Sequence, residues 1–313
     1  MTGLTGKPWS APGVVPEEVR FPRGMLGLEE RQMLFYLTRV AYRGEGYVVD
    51  AGAYAGASAY CLAAGLARSP HSEARFARVH SYDLFRALDQ YVADAITKDF
   101  KPIGIGGDYF DVFEFQTGHY RERIHAHPGD FLEHAPPDGP IEILFIDVAK
   151  TQTLNSHLVR NFLPRLIPGR SLIVQQDYYH AWHPFTQVTM EILRDHVEVL
   201  DPLIANQSRL YRLTSAPPPD LIAEIAEYAY PAEKLLATLD SAIERDAGLT
   251  RAMLEVTKLW QLVLLNRFDD SNNLIARLRA RPDFDGKQLW CRQTEQIAEN
   301  VSARLKKPQL AAS

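Results

Sequence analysis

The stretch Tyr47 to Leu62, YVVDAGAYAGASAYCL, constrains this chain more than any other. A short apolar run, Tyr47-Val48-Val49, ends in Asp50. Small residues follow at Ala51, Gly52, Ala53, Ala55, Gly56, Ala57 and Ser58, and helical spacing then continues to about Leu66. The pattern predicts a buried strand, a tight turn and a helix N-terminus. That order makes a ligand site by geometry. Glycine lets a ligand approach the backbone, and the N–H groups of the turn are expected to lack partners.

The rest of the chain repeats the alternation. A helix is expected over Leu28–Tyr42, stopped by Gly44 and Gly46. Further strands are expected at Val79–Tyr82, Arg123–Ala126, Ile141–Ile146 and Ser171–Val174. Helices separate them, near Tyr109–Thr117 and over Leu154–Leu166 and Pro184–His196. Val197–Leu200 and Leu210–Leu213 read as a closing antiparallel pair. The fold class expected is α/β: a doubly wound, Rossmann-like, mostly parallel seven-stranded sheet with a C-terminal all-helical annex. Residues 1–24 form an irregular arm, 25–216 the sheet domain and 217–313 the annex, reached through Ala216-Pro217-Pro218-Pro219-Asp220. Residues 86–108, with a short helix over Ala87–Lys98 and then Gly104, Gly106 and Gly107, read as an insertion.

Composition narrows the function classes. The net charge of −5 and the mixed signs exclude a nucleic-acid footprint. No apolar run approaches the roughly 20 residues that span a bilayer, and the N-terminus has no apolar core of a signal peptide. Cys61 and Cys291 are the two cysteines, too far apart in sequence to suggest a metal site, and read as buried thiols. A cytoplasmic protein is expected, without nucleic-acid or membrane partners.

The turn itself has the form D-x-G-x-x-x-G-x-S, from Asp50 to Ser58. A nicotinamide-binding turn needs G-x-G-x-x-G, whose middle Gly lets a pyrophosphate touch the backbone. Tyr54 stands in that slot, and the Gly-Lys-Ser/Thr of a nucleotide-binding P-loop is absent. A small ligand without phosphates fits better. The pattern resembles motif I of class I S-adenosylmethionine-dependent methyltransferases. The resemblance implies that Asp50, Gly52, Ala53, Tyr54, Gly56 and Ser58 surround the amino-acid part of the cofactor.

Other residues in the same order extend the resemblance over about residues 25–215. Asp83, at the end of the second strand, is implied to hold the ribose hydroxyls through charge-assisted hydrogen bonds. Asp130 and Phe131 are implied to contact the adenine. Leu166-Ile167-Pro168-Gly169-Arg170 is similar to the family's L-x-P-G-G, with Arg170 in place of the second Gly.

Strand four ends Asp147-Val148-Ala149-Lys150 and strand five ends Gln176-Asp177-Tyr178. This is similar to metal-dependent O-methyltransferases of the catechol and macrocin or sugar types. The resemblance implies Mg²⁺ on Asp147, Gln176 and Asp177, with oxygen donors suited to a hard cation. Such an ion lowers the pKa of the acceptor hydroxyl. Lys150 is the implied base and His180 the second candidate. With Asp147 they make the candidate catalytic group, and Asp147 also counts among the cofactor contacts. A purely structural role for Asp147 and Asp177, as caps or cofactor ligands, stays open.

The function expected is transfer of a methyl group from S-adenosylmethionine to a hydroxyl of a sugar or secondary metabolite. The arm and the insertion would form a lid, and the annex would make a homodimer or cover the acceptor. Two alternatives stand beside it. One is a nicotinamide oxidoreductase; the other is a methyltransferase-like domain that has become a non-catalytic scaffold.

Overall fold

Apolar runs bounded by turns become strands buried on both faces. In the clearest, Ile141–Ile146, all six residues are buried. A computed structural model describes residues 4–205 and 207–306; the outermost parts of the arm and of the annex lie outside them. The strands are β1 (Tyr47–Ala51), β2 (Val79–Asp83), β3 (Ile124–Pro128), β4 (Ile141–Ile146), β5 (Leu172–Gln175), β6 (Val197–Ile204) and β7 (Ser208–Leu213). They form one sheet in the order β3-β2-β1-β4-β5-β7-β6. β1 to β5 are parallel; β7 runs antiparallel to β5 and to β6. The expected doubly wound, seven-stranded sheet is therefore present. The chain steps outward from β1 to β2 and β3, then returns to β4 on the other side of β1. The β1–β4 boundary is the topological switch point, where open α/β sheets place their ligands.

The helices follow the expected order, with local chemistry setting their ends. They are α1 (Leu28–Tyr36), α2 (Ala57–Ala67), α3 (Gln90–Asp99), α4 (Phe110–Thr117), α5 (Gln152–Asn161), α6 (Pro184–Ile192) and α7 (Pro219–Glu227). α3 starts later than periodicity predicts because Asp89 caps it, accepting the Val92 N–H at 2.9 Å. α5 stops five residues short of the expected Leu166, before Pro164, which can neither donate nor tolerate the preceding turn. A single 3-10 turn, Leu163–Arg165, follows. The arm is irregular apart from the turns Pro8–Ser10 and Glu17–Arg20, and it sends Trp9 and Val19 into the core.

One face of the sheet carries Val48, Val79, Ile143, Phe145, Leu172 and Val174, packed with Met33, Leu34 and Phe35 of α1 and Leu62 of α2. Each such side chain contributes about 1.5–3 kcal/mol by leaving water. On the other face Tyr82 meets Phe131 and Phe162 edge-on, at 5.8 and 5.6 Å between ring centroids. α7 packs on α5. Arg170, the departure from L-x-P-G-G, is 7% exposed and pairs with Glu142, which is 1% exposed. Glu142 also accepts the Arg43 and Glu45 N–H groups, at 2.6 and 2.7 Å, fixing the loop before β1. The long side chain at position 170 neutralises a buried carboxylate that a Gly would leave alone.

The chain divides into two units. The first runs to Gln176 and includes Asp195–Glu227; the second holds Asp177–Arg194 and the chain from Tyr228 onward. The second unit is helical among its described residues, with α6, α8 (Ala232–Arg245), α9 (Gly248–Leu264), α10 (Phe268–Arg279) and α11 (Leu289–Lys306). α9 packs against α8, α10 and α11, and Val188, Leu235 and Leu239 form a small core. Both cysteines are free and buried, as expected.

Candidate cofactor and active site

Gly52 leaves β1 at φ +105°, and a Cβ there would sit 2.6 Å from the Asp147 carbonyl carbon and 2.7 Å from Val148 N. Only glycine lets the two strand ends at the switch point close on each other. Gly56 is at φ +95°, and its missing Cβ leaves the space taken by Thr117 and Phe113 of α4. The glycine spacing is thus set by packing around the turn. The expectation of unpaired N–H groups is corrected here. Gly52 and Ala53 both donate to the Tyr82 carbonyl, at 2.9 and 3.1 Å, and Gly56 donates to Ala53. The turn satisfies them because it folds back on β2.

Asp50 and Ser58 lie buried beneath the turn. They are 0% and 2% exposed. The Ser58 and Ser81 hydroxyls both donate to Asp50 Oδ2, at 3.0 and 3.1 Å. The implied cofactor contact is replaced by a clamp beneath the turn, tying α2, β1 and β2 together. Alternation in β1 explains it: Asp50 shares the Val48 face, which α1 and α2 cover. Burial pushes the Asp50 carboxyl up to about 7, against the two serine hydrogen bonds that favour its anion. Its Oδ1 is buried and makes no hydrogen bond with a described residue.

Asp83 ends β2 half-buried, and three donors converge on it. The Tyr54 N–H reaches Oδ2 at 2.8 Å; the Phe85 N–H and the Tyr109 hydroxyl reach Oδ1 at 2.7 and 3.1 Å. Burial raises its pKa against these three bonds. Tyr54 (φ +47°) and Phe85 (φ +55°) hold left-handed conformations that L side chains rarely adopt. The Tyr54 ring lies 5.5 Å from that of Tyr109 and joins Phe85, Val112 and Phe113 in an apolar cluster. Tyr109 was missed in the sequence: no motif marks a hydroxyl that reaches a carboxylate across an insertion.

Beside Asp83, the Gly129 N–H donates to its carbonyl at 3.0 Å. Asp130 is exposed and caps the turn Phe131–Glu133, accepting the Leu132 N–H at 2.9 Å. Phe131 is corrected: it is 4% exposed and stacked on Phe162 at 5.0 Å, so its ring belongs to the core and cannot cover an adenine.

At the carboxyl ends of β4 and β5 three of the expected residues, Asp147, Lys150 and Gln176, lie together. Lys150 Nζ pairs with Asp147 and lies 3.5 Å from Gln176 Oε1. Gln176 is 8% exposed, whereas Lys150 is largely open to solvent. Asp177 and His180 belong to the second unit. Asp177 is left-handed, at φ +57°, and its carbonyl accepts the His180 N–H at 2.9 Å. The His180 and His183 rings stack at 4.8 Å. Tyr178 and Tyr179 beside them are buried.

With this geometry in place, comparison with known proteins narrows the reading of its central part. Residues 49–178 match the family model described as a methyltransferase domain. Residues 49–178 therefore carry a methyltransferase domain. The match runs from β1 through β5 and takes in the turn, Asp83, Asp130, Asp147 and Lys150 of the methyltransferase domain. It favours neither the nicotinamide nor the scaffold alternative.

No curated protein matches the chain. Among solved structures, similarity is found to an O-methyltransferase from Bacillus cereus in complex with SAH. It is 14% identical over 63% of this chain and 86% of that one, with a TM-score of 0.42. Cofactor-bound Rv0187 from MTB is 15% identical over 63% and 85%, with a TM-score of 0.41. The pyocyanin biosynthetic protein PhzM is 17% identical over 57% and 52%, with a TM-score of 0.33. Likenesses this distant fix neither substrate nor mechanism.

Proposed function

We propose that the domain transfers the methyl group of S-adenosylmethionine to a hydroxyl oxygen of a small molecule, a sugar or secondary metabolite. The observation that carries this reading is the group Asp147–Lys150–Gln176 beside the switch point. The cofactor lies along the Gly52–Gly56 turn, with its ribose on Asp83 and its adenine beside Asp130. The acceptor oxygen forms the new C–O bond while the C–S bond breaks and its electron pair returns to sulfur. The domain aligns the two and accepts the hydroxyl proton. Lys150 Nζ, an ammonium at rest on Asp147, first gives up its own proton to solvent; the free amine then takes the hydroxyl proton, and the Asp147 carboxylate stabilises the ammonium re-formed. The exposed apolar residues Leu88, Tyr91 and Ile105 on the insertion are suited to cover an acceptor.

Asp147 and Gln176 offer oxygen donors, so Mg²⁺ is the metal they would hold, and it would lower the pKa of the acceptor hydroxyl. The Lys150 ammonium stands on the same two oxygens and competes with such an ion. A panel of hydroxyl-bearing acceptors assayed with labelled S-adenosylmethionine tests the reading. Lys150→Ala should cut turnover by about 10²–10⁴ while cofactor binding persists. Transfer to no oxygen acceptor, or full turnover in Lys150→Ala, would reject it. Loss of a similar size in His180→Ala alone would move the base to His180, and activity unchanged by EDTA would leave Lys150 as the only cation required.

A further inference from the structure

The outer edge of the sheet carries a feature that methyl transfer does not use. β3 pairs only with β2 in the sheet order, and the parallel register sets His80 opposite His125 and Tyr82 opposite His127. Side chains alternate along a strand, so His125 and His127 share a face, and the register adds His80 to it. The rings gather closely. His125 and His127 stack at 4.4 Å, and His80 lies 5.2 and 5.3 Å from them. One ring nitrogen from each comes within 4.8 Å of the other two.

Packing alone gives a poor account of this cluster. Three imidazoles on adjacent strands repel one another when charged, and β-branched residues fill such positions better. The sole hydrogen bond of these rings with a described residue is internal: His80 Nδ1 and His127 Nε2 are 3.1 Å apart. Tyr47 and Tyr82 wall the group, at 5.0 Å from His80 and 4.2 Å from His127. This fixes two rings against aromatic neighbours and leaves the exposed His125 on the open side.

We propose that His80, His125 and His127 form a transition-metal site on the β2–β3 edge. It takes Zn²⁺ or another imidazole-preferring divalent ion through three ring nitrogens and leaves a fourth position to water or an external ligand. Zinc holds imidazole nitrogens at about 2.0–2.1 Å in a tetrahedron, which sets them about 3.3 Å apart. Binding requires side-chain rotation that closes the present spacing to that value. Three nitrogen donors suit zinc, nickel, copper and cobalt and do not suit magnesium, so the site is distinct in chemistry from Asp147 and Gln176. The bound ion staples the edge strand to β2. Because β3 leads directly to Gly129, which donates to the Asp83 carbonyl, the staple also steadies the end of the strand beside the cofactor acid.

The test uses the tag-free full chain, titrated with Co²⁺ and followed by the visible d–d band of tetrahedral cobalt, then by displacement with Zn²⁺. One Co²⁺ per chain should bind. Affinity should fall about tenfold or more in His125→Ala and in His127→Gln. It should be unchanged in His119→Ala, an exposed histidine outside the cluster, and in Asp147→Asn. Zn²⁺ should raise the melting temperature of the native chain and not that of His125→Ala. His125 is exposed, so its removal opens no cavity, and His125→Gln, which keeps its size, is a companion variant. Absence of the tetrahedral band, or equal affinity in the His125 variants and the native chain, would overturn the proposal.

Discussion

The Tyr109 hydroxyl donates to Asp83 Oδ1 at 3.1 Å, on the same oxygen that accepts the Phe85 N–H at 2.7 Å. With the Tyr54 N–H on Oδ2, three donors already serve this carboxylate. A carboxylate accepts about four hydrogen bonds. Two vicinal ribose hydroxyls therefore need one more position than remains, and Tyr109 holds the donor that can swing away.

Tyr109→Phe should accordingly tighten S-adenosylmethionine binding by about threefold to tenfold, the worth of one net hydrogen bond of ~0.5–1.5 kcal/mol. Asp83→Ala should weaken it by about tenfold or more, since bonds to a charged group are worth ~1.5–3 kcal/mol. Calorimetric titration reads both. Weaker binding in Tyr109→Phe would mean that the phenol orients Asp83 and does not compete for it.

Asp50 gives a pH signature. Its buried carboxyl is pushed up to about 7, against about 3.9 for an unperturbed aspartate. Between these values the native state keeps a proton that the unfolded chain has lost, so the Asp50 contribution to stability falls as pH rises from about 4 to 7. Asp50→Asn resembles the protonated form and does not titrate. Its melting temperature relative to the native chain should climb across that window and level off above it. A constant difference from pH 4 to 8 would show that Asp50 is ionised throughout.

Arg170 and Glu142 form a buried pair whose halves are unequal in what their loss exposes. Arg170→Ala leaves Glu142, which is 1% exposed, without its counter-ion. The expected cost is about 3–5 kcal/mol. Adding Glu142→Gln should recover part of it by removing the stranded charge. Urea denaturation monitored on the sheet measures both, and equal stability of the single and double variants would contradict a coupled pair.

Much of the fold was legible because period and punctuation agreed. β4 and the turn that leads from β1 into α2 fall where the sequence puts them, since continuous apolar runs and small-residue turns leave little choice. The mostly parallel, seven-stranded sheet followed from strands alternating with helices. The site was legible in part: Asp147, Lys150 and Gln176 meet as their strand-end positions imply. What failed did so through three-dimensional facts. Asp50 and Ser58 face inward, and Phe131 fills a space between Tyr82 and Phe162. The turn N–H groups found partners on β2, and the His80–His125–His127 cluster depends on the β2–β3 register, which no single strand reveals.

Titration of the native chain with S-adenosylmethionine by calorimetry tests the central reading most directly. The account predicts saturable binding at one site per chain, weakened in Asp83→Ala. No heat of binding up to millimolar cofactor from a folded chain would contradict it.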